Sequence, residues 1–203
     1  MIKRIALAAA LAAVSTAGFA APGATTYRID PTHTDVIASW SHLGFSHPAA
    51  HFGDVEGTIV YDAQNVGASK VEVSIPLSGL SSHVEAFDKH LRSADLFDAA
   101  KFPSITFRST KVEAAGDSRL RVTGDVTVRG VTRPAVLEVT LNKVGEHPMK
   151  KVPAIGFDAT TTLKRSDFGL AYAVPAVSDE VRIRITTEAS ADRARTTVQP
   201  KKK

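Results

Sequence analysis

Four histidines, His33, His42, His47 and His51, fall within nineteen residues of one another. Imidazole is a common metal ligand, and His47 and His51 share one parity of an extended strand. Against a metal pair, there is no HExxH motif and no acidic partner at ligand spacing, and Pro48 interrupts the strand between them. No metal site is expected. His42 stands two residues after Trp40, on the apolar parity of its strand and beside Gly44. There it either hydrogen-bonds a polar group of a ligand or serves as a satisfied core histidine. Asp88, His90 and Arg92 gather at the end of a helical segment, and Lys164, Arg165 and Asp167 fall in LKRSDFG. Each set has the chemistry to meet a polar or charged ligand group, although ion pairing and turn capping are the commoner uses of such residues.

Motifs of catalysis are missing. The chain has no GxSxG elbow, no phosphate-binding glycine loop and no dinucleotide fingerprint. It has no cysteine among 203 residues, which excludes disulfides, thiolate metal sites, cysteine nucleophiles and a cysteine-anchored lipoprotein. The expectation is a binding protein, not an enzyme, with no cofactor.

The elements that must hold these residues alternate at period two. Val36, Ala38, Trp40 and His42 share one strand face. Val71, Val73 and Ile75 alternate with Lys70, Glu72 and Ser74, and Ile105 and Phe107 with Thr106 and Arg108. The same rhythm covers Leu120 to Val128, Leu137 to Leu141 and Val181 to Ile185. A dry face opposite a wet one marks antiparallel strands. Turn signals lie at Asp62 to Gly67, Gly116-Asp117, Arg129-Gly130 and Gly145 to Pro148. One segment reads as helix, His83 to Arg92, with Val84, Phe87 and Leu91 on one side, and with Ser82 and Glu85 as a capping box. A short turn carrying Leu96 and Phe97 follows. About eight long antiparallel strands with a short helical insertion make an all-β fold, a closed up-and-down barrel or a sandwich.

Both ends of the chain differ in kind from this body. Lys3 and Arg4 precede an apolar run from Ile5 to Val14, and Gly18 and Ala20 are the small residues before a cut after Ala20. Residues 1–20 are expected to be a signal peptide, which implies export and, in a bacterium with two membranes, the periplasm. Residues 21–190 form one domain, and 191–203 are expected to be a disordered basic tail. The net charge of +4 belongs to these ends. Losing Lys3 and Arg4 leaves +2, and the tail, with five cations and one anion, accounts for +4, so the body sits near −2. The basic pI of about 9.4 therefore gives no support to nucleic-acid binding. It suggests at most that Arg193, Arg195 and Lys201 to Lys203 hold the protein near anionic membranes.

Several stretches, in order, resemble the YceI-like family of secreted, polyisoprenoid-binding proteins. They are YRIDPTHTDV at 27–36, SHLGFS at 41–46, FGDVEGTIVYD at 52–62, HLRSADLFDAAKFPSITFRSTKV at 90–112, GDVTVRGVTRPAVLEV at 124–139, GFDATTTLKRSDFGL at 156–170 and VSDEVRIRI at 177–185. The resemblance implies a closed lipocalin-like β-barrel that binds a long isoprenoid, quinone-like or other amphiphilic lipid without transforming it. Two positions depart from the family pattern. Ala50 stands where many members have Gly, and Phe87 stands where several have Arg before the helix Asp. The second removes a cation from a headgroup position and points to a less anionic lipid.

In a hollow barrel, the apolar strand face lines a tunnel. Its candidates are Val36, Ala38, Trp40, Val71, Val73, Ile75, Ile105, Phe107, Val122, Val126, Val128, Val139, Phe157, Leu163 and Ile183, with His42 as the polar contact. Phe87, Leu91, Leu96 and Phe97 either gate one end or dock a helix on the sheet. In a filled barrel the same strand residues are the core, and periodicity does not separate the two cases. The leading expectation is a periplasmic lipid carrier. The rival is a stress-response envelope protein acting through protein contacts on the barrel exterior.

Overall fold

A computed structural model of the protein describes residues 23–192. The expected signal peptide, and all but Ala191 and Asp192 of the expected tail, lie outside the described residues.

Three strands are each broken in two. The first comprises β1 (Thr25–Ile29) and β2 (Asp35–Ser39), with a 3-10 turn at Pro31–His33 between them. The second comprises β3 (Ala49–Phe52) and β4 (Glu56–Tyr61). The third comprises β5 (Lys70–Pro76) and β6 (Leu80–Ser81), separated by the 3-10 turn Leu77–Gly79. The helix α1 (Glu85–Arg92) follows, beside β6. Five unbroken strands complete the chain: β7 (Ser104–Ala114), β8 (Arg119–Val128), β9 (Val131–Glu146), β10 (Pro153–Lys164) and β11 (Glu180–Ser190).

Each composite strand pairs antiparallel with the next. The last returns to the first, with Ile29 opposite Ala189 and Val36 opposite Ile185. This is the expected closed, eight-stranded, up-and-down barrel, and closure removes the exposed edges that such long strands would present. The alternation does the positioning. Along β8, Leu120, Val122, Val126 and Val128 are buried while Arg119, Arg121 and Asp125 face solvent. One end of the barrel carries the turns at 62–69, 115–118 and 147–152. The other carries the loops at 40–48 and 165–179, the Arg129-Gly130 turn and α1.

Three local expectations are corrected. First, β2 stops at Ser39, because Trp40 gives its amide to the Pro48 carbonyl and the chain then turns through Leu43 and Gly44 at positive φ. Second, α1 begins at Glu85, not His83, since His83 takes a left-handed φ of 64°. The capping box does not form. Instead the Asp88 carboxylate reaches back to accept from the Ser82 amide at 2.6 Å and from its hydroxyl, and these bonds lower its pKa. Val84 is consequently exposed instead of packed. Third, β9 runs through Gly145 to Glu146. The turn follows because the His147 Nδ1 accepts the amides of Met149 and Lys150, both at 3.1 Å. Strand β11 ends at Ser190, and the two described residues that follow keep contact with the barrel. The Ala191 amide donates to the Pro153 carbonyl at 2.8 Å, and Asp192 lies 3.9 Å from Arg28.

Candidate functional site

The inward faces of the strands enclose a cavity of about 240 Å³. It runs along the barrel, from Leu120, Leu137 and Val71 toward one end to Leu163, Val128 and Leu170 toward the other. An apolar cavity of roughly 150 Å³ already stays dry and accepts a benzene-sized guest. The barrel is therefore hollow, and its wall is almost wholly hydrocarbon.

Fifteen of the sequence-derived residues meet at this wall: Val36, Ala38, Val71, Val73, Ile75, Phe97, Ile105, Phe107, Val122, Val126, Val128, Val139, Phe157, Leu163 and Ile183. Four do not. His42 lies beyond the end of β2 in an exposed turn, bridged to Ser46 and Val177, so its expected apolar parity never applies. Trp40 is outside the cavity and packs on Phe87, with ring centroids 5.9 Å apart. Leu91 is buried beneath α1, outside the cavity wall. Trp40, Phe87 and Leu91 thus dock the helix on the end of the barrel. Phe97, in contrast, reaches the wall and meets Phe52 edge-on at 5.9 Å.

Other wall residues were not singled out from the sequence. Ile59 and Tyr61 alternate inward on β4, but the intervening Val60 makes GTIVY apolar on both parities and hides the period. Phe168 and Leu170 enter from the 3-10 turn Arg165–Phe168 and the residues after it, where no strand period exists. Thr34, Ser69, Thr161 and Thr187 supply hydroxyls. Thr34 and Thr187 bond to each other at 2.9 Å, and the Ser69 hydroxyl accepts the Asp62 amide at 3.1 Å.

Among the described residues, Arg165 is the single charged residue of the wall. Its Nε donates to the Ser178 carbonyl at 2.9 Å, Nη1 to those of Leu170 and Tyr172, and Nη2 to that of Val177. Burial lowers its pKa from the usual value, the Asp179 carboxylate opposes that shift, and the group stays cationic. The Asp179 pKa is itself held low by the side chain and amide of Ser166, at 2.7 and 2.9 Å. Arg165 is therefore a tie for the loop that closes this end. Arg92 has the same use: its guanidinium donates to the carbonyls of Leu77, Ser78 and Leu80. His90 lies edge-on to Tyr172, with ring centroids 5.3 Å apart. None of the charged residues named as headgroup contacts offers an unused charge to the lumen.

Of the clustered histidines, His51 bonds the Asp35 carboxylate at 2.8 Å and meets the ring of His83, while His47 is exposed. Among the described residues no three His, Asp or Glu side chains gather around a common point.

A hollow antiparallel barrel with this sequence has close relatives. A YceI-like domain model matches residues 27–189. A UPF0312 protein of Pseudomonas aeruginosa is 37% identical over 191 residues, covering 93% of this chain and 98% of that one. Another, of Vibrio cholerae, is 38% identical over 171 residues, covering 83% and 89%. Among solved structures, the Campylobacter jejuni YCEI protein superposes with a TM-score of 0.67 at 29% identity, covering 75% and 90%. A polyisoprenoid-binding domain from Saccharophagus degradans shares the fold, with a TM-score of 0.62 at 14% identity over 82% and 98%. Family model, full-length relatives and barrel architecture agree, and the chain belongs to the YceI-like family.

Proposed function

We propose that this protein is an exported carrier that holds an uncharged, long-chain isoprenoid-like lipid in its barrel lumen and does no chemistry on it. The observation that carries the reading is the elongated, hydrocarbon-walled cavity, in which the one charge among the described residues, Arg165, is already bonded to four carbonyls. Hydrocarbon entering such a space gains about 0.8 kcal/mol per buried CH2. Burying a phosphate or carboxylate there, with no free cation to meet it, would be costly. The wall threonines do not offset this, since the hydroxyls of Thr34 and Thr187 bond each other at 2.9 Å. That the related fold from Saccharophagus degradans is described as polyisoprenoid-binding supports the ligand class.

Catalysis has little to work with. Among the described residues the wall contains no His, Asp, Glu or Lys to act as a general acid or base. The periplasm is the expected compartment, given the residues 1–20 pattern of two cations, an apolar run and small residues.

Native mass spectrometry with lipid extraction, on protein purified from a bacterial periplasm, tests the reading. The expected result is a mass excess matching a neutral isoprenoid or quinone. A clean apo mass, with no uptake of any isoprenoid offered, would overturn it. Turnover of a bound lipid would also overturn the non-catalytic part.

A further inference from the structure

Most exposed large apolar side chains of a soluble barrel are scattered, but four of those on this one gather at a single end. Phe45 is 90% exposed, Val84 57%, Tyr172 57% and Leu43 52%. They come from three segments that are tied together. The Leu43 amide donates to the Ala176 carbonyl at 3.0 Å, and the Ser178 amide to that of Ser41 at 2.9 Å. Tyr172 meets His90 of α1, and Val84 immediately precedes that helix.

A tight turn shapes the loop that presents Phe45. Leu43 and Gly44 both have positive φ, 55° and 75°, and the Phe45 amide closes the turn on the His42 carbonyl at 3.0 Å. A leucine in that conformation is uncommon. The outer stretches of both loops are also uncharged: no Asp, Glu, Lys or Arg occurs from 36 to 53 or from 168 to 178, with Arg165, Asp167 and Asp179 confined to the base of the second. The second loop also delivers Phe168 and Leu170 to the cavity wall, so one loop contributes to both the rim and the lumen. The opposite end differs, with exposed Met149 flanked by Lys150 and Lys151.

From the rim of Leu43, Phe45, Val84 and Tyr172 we infer a membrane-docking surface that seats the loaded end of the barrel in the interface of a lipid bilayer. An interfacial zone accepts apolar and aromatic side chains, and the charge-free stretches that carry Leu43, Phe45 and Tyr172 enter it with no ion of their own to desolvate, while Val84 stands beside the exposed Glu85–Lys89 pair of α1. The inference rests on the lipid-carrier reading, for which it supplies the loading step. A water-insoluble ligand exchanges most readily where the end of the lumen touches the bilayer.

Trp40, the chain's single tryptophan, packs on Phe87 at this end and serves as the reporter. Protein from the periplasm is mixed with phosphatidylcholine vesicles carrying brominated acyl chains, in salt high enough to screen the basic tail. The expected result is co-flotation with the vesicles and quenching of Trp40. The double variant L43S/F45S should partition about tenfold less or weaker still, while taking up a short neutral isoprenol from solution as the parent does. Absence of flotation by the parent, or equal partition of the variant, would overturn the docking surface. So would a parent that gel filtration shows as a dimer and the variant as a monomer, which would assign the rim to self-association. Loss of isoprenol uptake by the parent, with vesicle binding kept, would instead remove the carrier reading and leave the rim standing.

Discussion

The ring of Phe107 lies directly over Gly124 on the neighbouring strand. A Cβ at position 124 would stand 2.5 and 2.6 Å from two of the ring carbons, and 2.5 Å from the Arg108 carbonyl oxygen. Gly124 shares the inward parity of Val122 and Val126, and it lies beside the register shift between Ser109 and Lys111. The missing side chain thus leaves a hollow in the barrel wall into which a bulky aromatic folds, instead of crossing the lumen.

Gly124→Ala should therefore lower stability by about 1–3 kcal/mol, the usual range for overpacking a tight site. Combining it with Phe107→Leu should restore only part of the loss, because the Arg108 carbonyl is main chain and cannot swing away. Urea denaturation of the single and double variants measures this. Complete restoration by Phe107→Leu would mean that the ring alone determines the choice of glycine.

Asp30 anchors the turn between β1 and β2 to the far hairpin. Its carboxylate accepts from the Lys150 ammonium at 2.7 Å, the Thr32 hydroxyl at 2.6 Å and the Thr32 amide at 3.0 Å. These bonds, that from Lys150 foremost, hold its pKa well below the usual carboxylate range. A carboxyl depressed in the folded state contributes stability that is full above its unfolded pKa near 4, and that is lost as pH falls below it. Asp30→Asn should cost about 1 kcal/mol at neutral pH. The stability difference between parent and variant should then shrink as the pH is taken from 7 to about 3. A difference that stays constant over that range would assign the effect to packing.

The sequence made some strands plain and concealed others, for physical reasons. Strand β8 was legible because charged residues separate its apolar ones, from Arg119 through Asp125. Strand β4 was obscured because its outward parity carries Val60, and β10 because its inward parity carries the small residues Ala159 and Thr161. The wall followed wherever parity held, which is why fifteen strand and turn residues meet at one cavity. Parity failed where a strand stopped early. His42 looked inward only on the assumption that β2 continues past Ser39, and no local signal marks the Trp40 amide bonding to Pro48. Helix capping failed similarly: Ser82 and Glu85 have the right spacing, but the left-handed His83 lets Asp88 take the hydroxyl instead. The roles of Arg92 and Arg165 depend on carbonyls that only the folded loops bring together.

Arg165 gives a test of that last point. Its planar fork serves carbonyls that span Leu170 to Ser178, a geometry that one ammonium cannot reproduce. Arg165→Lys should destabilise the protein by about 1–3 kcal/mol, and Arg165→Ala by more. Amide hydrogen exchange should speed up from 170 to 178 in both, while β8 keeps its protection. Faster exchange throughout the barrel would show that the contribution of Arg165 extends beyond its loop.

Ile183 separates a hollow barrel from a merely loose one. It points inward from the middle of β11 and lines the cavity, whereas its neighbour Arg184 faces solvent. In a packed core, Ile183→Trp would cost about 1–3 kcal/mol. Where the larger ring enters empty space, the cost should stay below about 1 kcal/mol. Ligand uptake should fall at least tenfold, because ring and lipid compete for one volume. Arg184→Trp adds the same ring to the exterior and should leave both stability and uptake unchanged. Thermal melting read beside isoprenol binding distinguishes the cases. If Ile183→Trp melts near the parent temperature and still binds as the parent does, the lipid does not occupy this part of the lumen.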